Sequence, residues 1–322
     1  MAASCLPGAH PTDPQICPGF LDIDSHRILE PQEPELSLII VTPIHNEEAN
    51  IGVLAEQIAE STLKPDLWIV VDDGSTDRGA EMIRAMEHPM ETVVLRRDNA
   101  GGLIGGSAFT AWQFGVDFAI EQQPNFAYVM KLDADVELPV DYLRQAVTEL
   151  ASSSDIGVVG GVLLGKRDRE QTVHVPGPVK LYSAAGYHAL EDVPRRVGFD
   201  VMDELAIKAA GLRVVVRKDL PFTVRRAIGA SQGLVHGRRR NGQVCRWTGY
   251  WTPYFFLHAL RYVFRRPFGV GSVAMVYGYF RADQGPYPGR LREAHASEQK
   301  SKLSAAIRRP RAWFRETYGV TA

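Results

Sequence analysis

Cysteine is scarce: Cys5, Cys17 and Cys245 are the only three in 322 residues. An odd number at such wide spacing builds neither a disulfide framework nor a zinc site, which points to a reducing compartment. Long hydrophobic runs are absent too, none reaching the roughly 18 residues that a membrane-spanning helix needs. The opening MAASCLPGAHPTDPQICPGF has no basic n-region and is broken by prolines, so no signal peptide is read there. Charge of one sign is not in excess: 36 Lys and Arg against 38 Asp and Glu leave a net charge of −2, which gives no general basis for binding nucleic acid. These absences lead to the expectation of a cytoplasmic protein with no nucleic-acid partner. Glycine is missing where a dinucleotide site needs it. The first apolar run continues into TPIHNEE instead of the G-x-G-x-x-G turn that lets backbone approach a pyrophosphate. A Walker loop fails similarly, because Arg167 in GGVLLGKR (160–167) stands where Ser or Thr must hold magnesium.

What is present is ordinary in bulk, 45% hydrophobic and 23% charged, as in a soluble globular chain with room for one large or two medium domains. Residues 1–34 read as a loosely ordered tail. From Leu36, strands alternate with helices. LSLIIVT (36–42), DLWIVVDD (66–73), ETVVLRR (91–97), FAYVMKLD (126–133) and IGVVGGVLL (156–164) are the strands. NEEANIGVLAEQIAES (46–61) is a helix with Asn46 as N-cap, STDRGAEMIRAM (75–86) one capped by Ser or Thr, and GFDVMDELAIKAAG (198–211) one closed by Gly211. A strand LRVVVRKD, a basic loop GRRRNG (237–242) and an aromatic stretch dotted with arginine follow. Continuous apolar strands separated by helices predict an α/β fold with a mostly parallel sheet covered on both faces.

In such sheets ligands bind beyond the carboxyl ends of the strands. Three polar clusters fall at such ends: Thr42 to Glu47, Asp72 to Asp77, and Asp133 to Glu137. YVMKLDADVELP (128–139) places three acids within five positions. Like charges that close need a cation, a cation-bearing ligand or open water; a solvated acidic turn is the plain alternative. Asp73, Ser75 and Asp77 can be read as helix caps, but one acid suffices to cap, and the doubled Asp72 and Asp73 is surplus to that need. The Gly-rich NAGGLIGGSA (99–108) is read as a tight turn.

VTPIHNEEANI, VVDDGSTD, RDNAGG, KLDADVELP and FDVMDELAIKAAG occur in the order found in family 2 glycosyltransferases, and the chain resembles that family from Leu36 to about Gly233. The resemblance implies an inverting enzyme of the GT-A fold: residues 35–235 as catalytic domain, and 236–322 as a helical, aromatic-rich C-terminal extension that serves as lid, acceptor element or membrane-surface segment. It implies transfer of a sugar from a nucleoside-diphosphate sugar, UDP-sugar favoured, to a carbohydrate or lipid-linked hydroxyl acceptor, in polysaccharide, glycolipid or glycan synthesis. Asp72, favoured over Asp73, would accept from the nucleobase N–H, Pro43 would lie along the base and Glu47 near the ribose. Mg2+ or Mn2+ would be held by Asp135, with Asp133 in the metal shell or on the ribose. Asp203 would be the catalytic base, with Glu204 as its alternate, and Gly177 in VPGPVKLY (175–182) would line the acceptor side.

Two departures stand out. In TVRRAIGASQG the family's Arg and Gly persist as Arg226 and Gly229, Arg226 being assigned to the donor, but Val224 occupies the position of the usual histidine ligand. His236 is the candidate replacement. QVCRW (243–247) resembles the signature of processive synthases, without the membrane helices that normally follow it; Arg246 and Trp247 could close over the diphosphate or a sugar. A nucleotidyltransferase and a non-catalytic sugar-nucleotide-binding module are the competing readings. WTPYFFLHALRYVFRRPFGVGSVAMVYGYFRAD (251–283) reads either as two packed helices or, from Trp247, Trp251, Tyr254, Tyr262, Tyr277 and Tyr279 beside arginines, as a segment for peripheral association at the inner face of a membrane.

Overall fold

The structure is a computed structural model that describes residues 38–98, 107–122, 125–164, 174–225, 234–264 and 268–310. Its elements are β1 (Leu38–Ile44), α1 (Glu48–Glu60), β2 (Leu67–Asp73), α2 (Gly79–Ala85), β3 (Glu91–Arg97), α3 (Ser107–Gln122), β4 (Tyr128–Leu132), β5 (Val136–Glu137), α4 (Tyr142–Ala151), β6 (Ile156–Leu163), β7 (Val179–Ser183), α5 (Ala184–His188), α6 (Phe199–Ala209), β8 (Arg213–Val224), α7 (Leu234–Trp247), α8 (Thr252–Leu260), α9 (Val270–Arg281) and α10 (Gly289–Arg308). The expected tail, residues 1–34, and the Gly-rich turn after β3 lie outside the described residues.

Eight strands form one sheet in the order β3-β2-β1-β4-β7-β6-β8-β5. β3, β2, β1 and β4 are parallel, and β6 pairs parallel with β8. The period of two along each strand explains the continuous apolar runs. Leu38, Ile40 and Val70 pack on one face with Ile51 and Ile58 of α1, while Ile39, Val41 and Ile69 pack on the other with Trp112 of α3 and Phe199 of α6. β7 was not expected. It lies between β4 and β6, antiparallel to both, in the segment VPGPVKLY (175–182), whose Gly177 is assigned by the family resemblance to the acceptor side.

Close backbone contact fixes β6 against β8. At Gly161 an added Cβ would fall 1.7 Å from the Leu220 carbonyl oxygen, where the register shifts between Gly160 and Val162, and Gly161 N–H donates to Tyr142 Oη at 2.9 Å. Gly161→Ala should therefore lower the urea midpoint by the equivalent of about 1–3 kcal/mol, since backbone cannot yield as a side chain does. Gly237→Ala in α7, where an added Cβ meets nothing within 4 Å, should be neutral or stabilising. Equal midpoints for the two variants would show that the β6–β8 contact is not close-packed.

Two expected caps are replaced. Asn46 has a positive φ of 57° and precedes the α1 N-cap residue Glu47; its Oδ1 accepts from Thr76 N at 2.8 Å. Neither Ser75 nor Thr76 caps α2. Asp77 does both jobs, accepting from Glu48 N at 2.7 Å and from Gly79 N at 3.1 Å, so one carboxylate satisfies the first turns of two helices and ties their loops together. Gly211, with φ of 80°, follows α6 as its sequence suggested.

GRRRNG is not a loop but the middle of α7. Tertiary packing overrides its weak helix propensity: an added Cβ at Gly242 would lie 1.9 Å from Met275 O, and one at Gly278 would lie 1.9 Å from Arg239 O, so α7 and α9 touch backbone to backbone. Cys245 is buried there, and burial pushes its thiol up to about 12, which makes it an inert packing residue.

Candidate functional site

The carboxyl ends of β1, β2 and β4 carry the first set of side chains. Asp72 and Asp73 end β2 and are buried. The parallel register places them beside Arg96 and Arg97 of β3, and each acid finds its cation there: Arg96 Nη1 donates to Asp72 Oδ2 at 2.7 Å and Arg97 Nε to Asp73 Oδ1 at 2.7 Å. Asp72 Oδ1 accepts from Ser75 N at 2.8 Å. Sequence reasoning missed both arginines, although RRD directly after the third apolar run was the available signal. Pro43 is buried in β1 beside Val71, and Glu47 is half-buried, its Oε2 accepting from Asn50 Nδ2 at 2.8 Å.

Asp133 and Asp135 follow β4 and are both half-exposed. Buried Lys131 pairs with Asp133 Oδ1 and donates to the Gly177 carbonyl at 3.0 Å. Asp133 N in turn donates to Pro178 O at 2.9 Å. The Gly177 loop is thereby fastened against the acidic turn. Beside Asp135, whose carbonyl accepts from Arg225 N at 2.8 Å, the short β5 pairs Val136 with Val224. The position expected to supply a third metal ligand is thus at the acidic turn, but its side chain is apolar. His236 is exposed in the first turn of α7. Among the described residues no three His, Cys, Asp or Glu side chains gather as a metal cluster, so Asp133, Asp135 and His236 do not form the expected triad.

α6 places its acids very differently. It starts at Phe199, after Gly198 with φ of 92°. Asp200 is half-exposed in the first turn and borders Gly177, where an added Cβ would lie 3.5 Å from Asp200 Oδ2. Asp203 and Glu204, expected to be the base and its alternate, lie one turn further in and are 0% and 1% exposed. Asp203 Oδ2 accepts from Lys180 Nζ at 2.7 Å and from Tyr182 Oη at 2.6 Å, and its Oδ1 accepts from Glu204 N at 2.7 Å. Glu204 accepts from Val175 N at 2.8 Å and meets His174 Nδ1 at 3.0 Å and Lys180 Nζ at 3.5 Å. Neither carboxylate has an open side for a substrate hydroxyl. The helical repeat puts all three acids on one face, so depth separates them: Asp200 sits in the open first turn, while one turn further in the same face is covered by Lys180 and Tyr182 of β7.

Burial sets the electrostatics of this cluster. It disfavours the Lys180 ammonium, but the charges of Asp203, Glu204 and Asp200 together outweigh it and hold the lysine above its ordinary value. Burial raises Asp203, with Lys180 offsetting it only in part. For Glu204 burial is outweighed by Lys180 and by the hydrogen bond from His174, and its pKa is lowered. Tyr182 is raised well above normal by burial and by the Asp203 charge. Lys180 Nζ also donates to the Asp200 carbonyl at 2.9 Å, so the buried cluster anchors the turn that presents Asp200.

The remaining expected residues are scattered. Arg226 lies outside the described residues. Trp247 packs with the second core cluster and donates from Nε1 to Asp283 at 2.7 Å. Arg246 lies over the Tyr279 ring at 5.5 Å and lines a cavity of about 420 Å³ together with Trp251, Gln284 and Arg292. None of the acidic residues above lines that cavity.

The sequence profile of Glycosyl transferase family 2 matches residues 39–204. A curated relative, undecaprenyl-phosphate 4-deoxy-4-formamido-L-arabinose transferase of Pectobacterium carotovorum, is 33% identical over 135 residues, 40% of this chain and 37% of the relative. The 4,4'-diaponeurosporenoate glycosyltransferase of Staphylococcus haemolyticus is 26% identical over 117 residues, 36% of this chain and 29% of the relative. The chain thus spans about a third of the length of these relatives. Among solved structures, the mannosyltransferase PcManGT from Pyrobaculum calidifontis in complex with GDP-Man and Mn2+ matches with a TM-score of 0.52 at 19% identity, covering 88% of this chain and 85% of that one. TarS 1-349 of S. aureus in complex with UDP-GlcNAc matches with a TM-score of 0.52 at 15% identity, covering 88% and 89%. At such identities the likeness establishes the fold, which is GT-A.

Proposed function

The chain belongs to glycosyl transferase family 2, and on that premise we propose that it moves a sugar from a nucleoside-diphosphate sugar, a UDP-sugar for preference, to a hydroxyl acceptor by a single inverting displacement. The observation that carries this reading is the meeting of two separate carboxylate sets at one loop. Half-exposed Asp133 and Asp135 stand at the end of β4, and half-exposed Asp200 stands against Gly177, which Lys131 ties to Asp133. A donor diphosphate and an acceptor hydroxyl need groups of these two kinds a short distance apart.

The roles follow. Asp72 and Asp73, with Pro43 and Glu47, receive the nucleobase and ribose. Asp133 and Asp135 would hold Mg2+ or Mn2+; two carboxylates fit an ion that keeps several waters and draws its other oxygens from substrate phosphates. When bound, such an ion supplies Lewis-acid stabilisation to the departing diphosphate. Arg226 adds positive charge to that diphosphate. Asp200 takes the acceptor's proton, because inversion needs one base on the face opposite the leaving group and Asp200 is the open acid of α6. Asp203 and Glu204 hold its turn through Lys180. Arg246 and Trp247 belong to the C-terminal extension. The lipid-type compounds in the relatives' names, undecaprenyl phosphate and diaponeurosporenoate, support an acceptor on a lipid, met at the cytoplasmic face of a membrane.

Thermal shift with a panel of sugar nucleotides, with and without Mn2+, tests the donor half of the reading; a ligand at 100 times its Kd stabilises by about 2.7 kcal/mol. Asp135→Asn should lose the Mn2+-dependent part of that shift and nearly all transfer to a polyprenyl-phosphate acceptor, as EDTA should for the unaltered protein. Transfer that survives both treatments would remove the ion from the reading. A second reading, binding without turnover, is favoured by Val224 alone; its signature is a nucleotide shift with no product on any acceptor.

A further inference from the structure

Nine of the fourteen exposed large hydrophobic side chains among the described residues lie between Phe256 and Phe280. On α8 they recur at Phe256 and Leu260, about 100° around the axis from buried Phe255 and Ala259; on α9 they recur at Val273, Tyr277 and Phe280, across the helix from buried Met275 and Tyr279. Both helices are thus apolar on both sides, one side covered and one bare. The bare sides are continuous, since the Phe256 and Phe280 rings lie 6.1 Å apart. Phe264, in the turn after α8, is 83% exposed and Val273 is 69% exposed. An apolar surface this dense is not left open without a partner.

Charge selects the partner. Between Leu220 and Ala282 the sequence holds ten arginines, no lysine and no acid, in a chain whose net charge is −2. Around the bare face Arg261 and Arg281 are exposed, Arg238 lies over the Tyr262 ring at 3.9 Å and Arg239 over the Tyr277 ring at 5.2 Å. Cations packed on the rim of an aromatic and aliphatic face match an anionic headgroup layer above an acyl boundary. A second copy of the chain fits poorly, because the same basic rim would meet itself. Spanning is excluded on length for these elements: α8 and α9 have 9 and 12 residues, roughly 14 and 18 Å against a hydrocarbon core of about 30 Å, and among the described residues no helix is long and apolar enough to cross a membrane.

We infer that the bare face of α8 and α9, rimmed by arginine, seats in the interface of an anionic bilayer, with the chain lying on the membrane rather than in it. The inference deepens the proposed transfer to a lipid-borne acceptor by naming the surface at which the acceptor is met, yet it rests on none of the acidic site residues. The aromatic stretch in the sequence pointed to this segment, but to partly different residues: Tyr279 is buried, and the exposed phenylalanines replace it.

Co-sedimentation of the full chain with vesicles of phosphatidylcholine alone, or mixed with phosphatidylglycerol, tests it without donor or acceptor. Binding to the mixed vesicles at low salt is expected, falling at least tenfold in 0.5 M salt or without the anionic lipid. Phe264→Glu with Val273→Glu, both at exposed positions, should cut binding at least tenfold with an unchanged melting temperature. Asp135→Asn should bind like the unaltered protein, so that failed transfer and failed docking are told apart. A protein that stays in the supernatant at low salt overturns the inference. So does a face consumed by self-association, seen as a dimer in sedimentation velocity that Phe264→Glu with Val273→Glu turns into monomer with no vesicle binding.

Discussion

Replacing Asp200 with Asn should lower kcat by about a hundredfold to ten-thousandfold, the range expected when a general base is lost, while the thermal shift given by the sugar nucleotide is kept. Asp200 is the α6 acid with solvent access, and it borders Gly177, which Lys131 joins to Asp133. The matching control is Asp203→Asn. Asp203 is sealed between Lys180, Tyr182 and the Glu204 amide, so its amide variant should show its main effect as lost stability, with a smaller change in turnover per folded molecule. A kcat collapse confined to Asp203→Asn, with Asp200→Asn near normal, would return the base to the buried acid and require the cluster to open during the reaction. Loss of nucleotide binding in Asp200→Asn would instead place that residue on the donor.

The largest stability effect is expected at Lys180. Lys180→Met should cost about 3–5 kcal/mol, the penalty of leaving a buried charge without its partner, because Lys180 is the cation within reach of both Asp203 and Glu204 in a fully buried cluster. Urea unfolding at neutral pH measures it. The pH dependence has a definite sign. In the unaltered protein Lys180 is raised, so its contribution is present below the ordinary lysine value of about 10.4 and is lost only as pH climbs through the raised value. Glu204 is lowered, so its contribution is present above the ordinary glutamate value of about 4.3 and is lost as pH falls through the lowered one. In Lys180→Met both carboxylates lose the lysine charge, Glu204 keeping only His174; burial then dominates at Asp203, and the folded state binds protons there more tightly than the unfolded chain. Stability of the variant then falls as pH rises from about 4 towards 7, and its deficit against the unaltered protein is smaller at pH 5 than at pH 7. Adding Asp203→Asn and Glu204→Gln to Lys180→Met should recover part of the loss at pH 7. A deficit that does not change with pH would mean that Lys180 matters by packing alone.

The sequence by itself determined six of the eight strands that build the sheet and the acids that end two of them. Apolar runs such as LIIVT and LWIVV report burial on both faces, and strand ends with Asp72, Asp73, Asp133 and Asp135 mark where ligands can approach; both signals are local, written in consecutive residues. The family order of motifs was legible for the same reason, as was Gly211, whose left-handed backbone needs no distant partner. Tertiary structure alone decided which acids are open. Asp200, Asp203 and Glu204 read alike in sequence, and only the start of α6 at Phe199 and its packing on β7 put one in solvent and two against Lys180. The cations were equally hidden, because Asp72 finds Arg96 across a strand pair and Lys131 finds the Gly177 carbonyl 46 positions away. β7 entered the sheet antiparallel, and the glycines of α7 became helix because α9 lies against them. Strand periodicity and the Gly211 turn are set by neighbours in the chain, whereas the capping of α1 by Asp77, charge pairing, accessibility and close backbone contact are set by neighbours in space, which one sequence does not name.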